Sequence, residues 1–104
     1  MRRRMSALRS PIDAHRLRVL LDPESEMAIR HPIAFDVLTR LHKRQIRIAV
    51  VIPVKDAIWI RVGPGPNIVV YHTGTILVQG PFFEGGPVGK LLKTALPKTA
   101  RWQQ

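Results

Sequence analysis

The sequence predicts an α+β domain, a four- or five-stranded antiparallel sheet with two or three helices on one face. Three observations predict it: apolar residues recur with a helical period as far as Leu41, the period drops to two after Gln45, and the later segments are joined by short connections. The chain has 104 residues, within the size of one domain. At 45% hydrophobic it can fill a core, which excludes wholesale disorder.

Residues 1–10 form a flexible basic arm closed by Pro11, and residues 11–97 form the single domain. Residues 15–21, H-R-L-R-V-L-L, alternate at first and stop at Asp22-Pro23, which predicts a strand. A helix start follows. Asp22 can accept a hydrogen bond from the free N–H groups of a first turn, Pro23 fits the first helical position, and Glu24 and Glu26 complement the helix dipole. Pro32 lacks an N–H and clashes with the preceding turn, so the helix kinks or starts again near Arg30-His31. Ala34, Val37, Leu38 and Leu41 then fall at i, i+3, i+4 and i+7, giving an amphipathic helix whose end carries Arg40, Lys43 and Arg44.

Strands are predicted over residues 46–54, 57–63, 67–72 and 75–79, separated by Lys55-Asp56, Gly63-Pro64-Gly65-Pro66 and Thr73-Gly74. Connections this short require antiparallel pairing, hence a meander. Residues 81–87 are a Gly/Pro-rich loop, residues 88–96 a short basic helix stopped by Pro97, and residues 98–104 a loose basic tail. Trp102 is either tucked back on the body or free to contact a partner.

Seventeen Lys+Arg against seven Asp+Glu give a formal net charge of +10, which favours polyanionic partners. The charge sits at the ends: residues 1–48 carry eleven basic and five acidic side chains, residues 49–84 two and two, and residues 85–104 four and none. With no cysteine, a disulfide scaffold and a thiolate zinc site are excluded. No apolar run approaches the roughly 18 residues of a membrane span, so no membrane partner is expected. The Arg-rich start lacks the apolar stretch of a secretory signal, and a cytoplasmic protein is expected.

Alternate strand residues point to opposite faces. One face would collect Ile46, Ile48, Val50, Ile52, Ile58, Ile60, Val62, Ile68, Val70, Ile76 and Val78, all aliphatic, to lie on the helices. The other would collect Arg47, Ala49, Val51, Ala57, Trp59, Arg61, Asn67, Val69, Tyr71, Thr75, Leu77 and Gln79. That second face offers Trp59 and Tyr71 for stacking, Arg47 and Arg61 for phosphates, and Asn67, Thr75 and Gln79 for hydrogen bonds, the groups nucleic acid binding requires. Val51, Val69 and Leu77 on the same face equally suit a homodimer or coverage by the chain's own ends.

Residues 67–80, N-I-V-V-Y-H-T-G-T-I-L-V-Q-G, resemble the hairpin in the amino-terminal substrate-binding domain of bacterial ribonuclease HIII, a TATA-binding-protein-like domain with a Tyr-Lys-Ser-Gly-Lys-Val-Leu-Phe-Gln-Gly type of segment. Tyr71, Gly74, Leu77, Gln79 and Gly80 match in register, and Thr73, Ile76 and Val78 are conservative replacements. His72 and Thr75 stand where that family usually has lysines, so Arg47 and Arg61 would supply the phosphate contacts from neighbouring strands. The likeness extends over residues 33–80. It implies a curved sheet whose open face grips a duplex, in that family an RNA/DNA hybrid, by shape more than by sequence. It does not imply strand cutting, which belongs to a separate carboxyl-terminal domain with a carboxylate metal site. His72, at the turn, is placed to touch a phosphate.

No catalytic constellation accompanies this surface. The seven acids, Asp13, Asp22, Glu24, Glu26, Asp36, Asp56 and Glu84, fall on arms, caps and turns rather than together as divalent-cation ligands. His15, His31, His42 and His72 lack ligand spacing. The segment from Gly85 to Leu91 resembles a phosphate loop only loosely, because Glu84 stands where Gly is needed and Leu91 where Ser or Thr is needed. The expectation is therefore a noncatalytic domain without cofactor or metal. It uses Arg47, Trp59, Arg61, Tyr71, His72, Thr75 and Gln79, with Arg40, Lys43 and Arg44 as a further basic cluster. The rival reading is a small interaction module, such as an antitoxin, an inhibitor or a mobile-element regulator, docking on an acidic protein.

Overall fold

The computed structural model describes residues 12–63, 65–80 and 87–103. The basic arm 1–10, the loop 81–86 and Gln104 lie outside the described residues. The elements in order are α1 (Ala14–Leu20), α2 (Glu26–Arg30), α3 (Pro32–Lys43), β1 (Ile48–Val54), β2 (Ala57–Val62), β3 (Asn67–Tyr71), β4 (Ile76–Gln79), α4 (Pro87–Ala95) and β5 (Arg101–Gln103). The class is α+β, with one five-stranded open sheet and four helices among the described residues, rather than two or three.

The expected strand at 15–21 is the helix α1. Asp13 caps it, its Oδ1 accepting the Arg16 N–H at 2.7 Å, and Leu17, Leu20 and Leu21 recur at helical spacing and pack against the core. The alternation before Leu20 is short, and the cap with three leucines on one side outweighs it. The second helix starts later than Asp22 implied. Asp22 closes a turn by accepting the Glu24 N–H at 2.9 Å, and the cap of α2 is Ser25, whose Oγ accepts the Ala28 N–H at 3.0 Å. The break at Pro32 is as expected: α2 ends at Arg30, His31 leaves the helical path at φ −133°, and Pro32 opens α3. Ala34, Val37, Leu38 and Leu41 are the buried stripe of α3.

Strands β1 to β4 form the antiparallel meander, with sheet order β1-β2-β3-β4-β5. The β3–β4 turn closes through Gly74 N–H to the Tyr71 carbonyl and Tyr71 N–H to the Thr75 carbonyl, both at 2.9 Å. Gly74 sits at φ +99°, a conformation a side chain would strain. Residues 98–104 are not a loose tail throughout, because Arg101–Gln103 is a strand paired parallel to β4, so the sheet is mixed rather than wholly antiparallel. A parallel neighbour needs a long crossover, and α4 supplies it. Trp102 is the residue tucked back, opposite Val78 and against the core.

The core lies between the sheet and the helices. Ile58, Ile60, Val62, Ile68, Val70, Ile76 and Val78 from the strands meet Leu38 and Leu41 of α3 and Leu92, Ala95 and Leu96 of the α4 region in one buried cluster. Among the described residues no polar or charged side chain is buried.

The simple alternation fails in β1. The register runs Ile48 opposite Val62 and then Val50 opposite Arg61, so Ala49 is an extra residue, a β-bulge. Beyond it every side chain changes face, since an insertion of one residue inverts a period of two. Val51 and Pro53 oppose Ile60 and Ile58 on the helix side, while Val50 and Ile52 oppose Arg61 and Trp59 on the open side, the reverse of the expected assignment. A groove of about 380 Å³ under α1 and α2 is lined by Val51, Pro53 and Ile58 together with Leu20 and Met27. Gly63 fits the bulge, because a Cβ there would stand 3.1 Å from the Ala49 Cβ. The bulge ranks two substitutions. Val51→Lys is expected to lower unfolding free energy by about 1–3 kcal/mol in urea denaturation, because it places a charge among apolar groove residues beside Arg16 and Arg30, where the one acid, Glu26, is already paired to Arg30, whereas Ile52→Lys costs under about 1 kcal/mol. Strict alternation demands the opposite order.

Candidate nucleic-acid interface

The open face of the sheet is built from cross-strand rows, because directly paired residues point the same way. One row runs Val50, Arg61, Asn67, Gln79, Gln103; the next runs Ile52, Trp59, Val69, Leu77, Arg101. At the hairpin end Tyr71 stands opposite Ala57. With strands about 4.8 Å apart, each five-strand row spans roughly 19 Å. Trp59, Arg61 and Tyr71 share this face, away from the helices.

The first row is polar and internally bonded. The Arg61 Nε–H donates to Asn67 Oδ1 at 3.1 Å, and Gln79 Nε2 donates to Gln103 Oε1 at 3.3 Å. The Arg61 guanidinium carbon lies 5.5 Å from the centroid of the Trp59 ring, which holds the cation over the π-face. The second row is apolar from Ile52 to Leu77, with Trp59 second in it and Arg101 at its end. Trp59, Val69 and Leu77 are half-buried by one another, and Tyr71 is 36% exposed. The face can therefore present one ring among aliphatic neighbours, a second ring on the diagonal, and a line of amides and guanidinium groups beside them.

The other expected residues divide. Arg47 is exposed between the buried Ile46 and Ile48, so it joins the open face at the β1 end, where its carbonyl accepts the Gly63 N–H at 3.1 Å. Thr75 is exposed next to the turn opposite Tyr71. His72 is exposed but engaged: its N–H donates to the Asp56 carbonyl at 3.0 Å, and its ring Nδ1 lies 3.0 Å from the same oxygen. It ties the β3–β4 hairpin to the β1–β2 hairpin. Arg40, Lys43 and Arg44 are not on this face. They end α3 on the helix side, with Arg40 paired to Asp36 at 2.9 Å and Arg44 donating to Thr94 Oγ1 of α4 at 3.4 Å. One expected site is thus two surfaces.

Four residues of the open face were not assigned to it from sequence: Val50 and Ile52, moved there by the bulge, and Arg101 and Gln103, brought there by β5. An R-W-Q run with charged and amide residues flanking one aromatic is the period-two signal of that edge strand. Among the described residues no group of three or more His, Asp or Glu side chains could hold a metal ion, and no helix is long and apolar enough to cross a membrane. Comparison with protein-family models, with curated proteins and with solved structures finds no match.

Proposed function

We propose that this chain is a noncatalytic nucleic-acid-binding domain of the TATA-binding-protein-like type, which holds a duplex or RNA/DNA hybrid against the open sheet face by shape rather than sequence. The observation that carries the reading is that Trp59, Tyr71, Arg61, Arg47 and Arg101 share one sheet face, opposite the described helices, in a protein of net charge +10. Guanidinium groups contact phosphates, rings stack on or wedge between bases, and Asn67, Gln79 and Gln103 exchange their mutual hydrogen bonds for bonds to the ligand. The meander backed by helices supports the fold type, and the Tyr71 to Gly80 likeness supports a grip on a duplex.

The test is a titration against single strands, DNA duplex, RNA duplex and hybrid at two salt concentrations. Three phosphate contacts from Arg47, Arg61 and Arg101 imply a roughly 40-fold loss of affinity between 50 and 200 mM salt, and further contacts steepen it. Indifference to all four ligands overturns the reading and leaves an acidic protein as the partner.

A second occupant of the face is favoured by one observation. The bulge places Ile52 beside Trp59, in the row that continues through Val69 and Leu77, so the apolar row reaches the β1 edge of the sheet, with Val50 at the same edge. A second copy packed on that row would form a dimer strengthened, not weakened, by salt, and sedimentation at both salt concentrations distinguishes the two.

A further inference from the structure

The helix side of the molecule carries a basic surface that the open sheet face does not use. Lys43 and Arg44 end α3, and Arg44 reaches Thr94 of α4. Lys90 stands one helical turn before Thr94 on the same side of α4. Lys93 lies 5.8 Å from the centroid of the Trp102 ring, and with Lys98 it lines a recess of about 300 Å³ between α4 and β5. Among the described residues no ion pair involves Lys43, Arg44, Lys90 or Lys98. The two ion pairs among the described residues are Arg30–Glu26 and Arg40–Asp36, and no acid occurs after residue 84. Lys43, Arg44, Lys90 and Lys98 are exposed.

Sheet and helices separate this surface from the open face. A helix layer alone is about 10–12 Å thick, more than the Debye length of about 10 Å at 0.1 M salt, so the two surfaces attract polyanions independently. A duplex lying flat on the sheet does not reach α4. The placement of the sequence's basic cluster on this second side, instead of beside Arg61, is what gives it a separate role.

We propose that the patch of Lys43, Arg44, Lys90 and Lys98 is a second site for a nucleic acid phosphate backbone, so that one molecule bridges two duplex segments. The inference rests on the sheet-face reading for its first segment. It requires no base recognition at the patch, since ammonium and guanidinium groups at a helix end offer point charges rather than a groove-reading element.

The experiment mixes two 20-base-pair DNA duplexes, one carrying a donor fluorophore and one an acceptor, with the full chain at about 0.1 M salt. Energy transfer is expected at substoichiometric protein and is lost when protein exceeds duplex, because each duplex then has its own molecule. The variant Lys43→Gln, Arg44→Gln, Lys90→Gln, Lys98→Gln is expected to bind a single labelled duplex within about threefold of the unmodified chain, yet to abolish transfer. The double variant Lys90→Gln, Lys98→Gln reduces transfer in the same direction, and melting curves verify that both fold. Transfer that survives the quadruple change means that bridging comes from another surface or from dimerisation and overturns the proposal. One-to-one binding without transfer overturns it while leaving the sheet-face reading intact. No binding of either duplex overturns this inference, and the sheet-face reading falls with it only if single strands, RNA duplex and hybrid are refused as well.

Discussion

The variant carrying Trp59→Ala and Tyr71→Ala is expected to bind its preferred nucleic acid at least 30-fold more weakly than the unmodified chain. Stacking of a base on an aromatic ring is worth about 1–3 kcal/mol, so the loss of two rings removes about 2 kcal/mol at the lower limit. The double change also frees Arg61 from the ring it covers at 5.5 Å, which leaves its phosphate contact intact but less oriented. Electrostatic attraction is unaltered, so the salt slope stays the same while the whole affinity curve drops. Leu77→Ala is the matched control, a half-buried aliphatic on the same row without a π-face. Affinity measured by fluorescence anisotropy, beside a melting curve for each variant, checks the result. If the double variant binds normally and removal of residues 1–10 abolishes binding, the basic arm is the contact and the sheet is not.

Ile60→Ala is expected to cost about 2–5 kcal/mol of unfolding free energy. Ile60 is 0% exposed, in the second of five strands, opposite Val51 on one side and Ile68 on the other. Its side chain meets the buried stripe of α3 across a core that holds no polar group to reorganise around a void. A domain of this size is stable by about 5–15 kcal/mol, so one such cavity consumes a large share. In thermal unfolding the midpoint should fall by at least about 8 °C, since about 1 kcal/mol shifts a domain of about 100 residues by roughly 4–8 °C. Ile29→Ala, at a side chain 71% exposed, should stay within about 0.5 kcal/mol. A loss below about 1 kcal/mol for Ile60→Ala contradicts the buried cluster.

These two residues also show where the sequence was legible. Ile60 and Trp59 are neighbours assigned to opposite faces by period alone, and the assignment holds because β2 pairs with β3 in unbroken register. The stripe of α3 and the break at Pro32 were equally readable, since helical spacing and a missing N–H act within a few residues. Residues 15–21 were misassigned because their alternation is local and short, whereas the cap at Asp13 and the leucines' burial against the core favour the helix.

The sequence by itself determined the aliphatic content of one sheet face, the meander from its short turns, and the presence of rings, amides and guanidinium groups on the strands between Arg47 and Gln79. The tertiary structure alone decided which groups stand together. Ala49 acts as a bulge only because Val50 pairs with Arg61, and Arg101–Gln103 becomes a strand only because α4 carries the chain back along β4. Arg40, Lys43 and Arg44 are parted from Arg61 because α3 lies across the hidden side of the sheet. Periodicity and turn chemistry are properties of neighbouring residues; pairing register and crossover are free-energy balances over the whole chain, and no local window contains them.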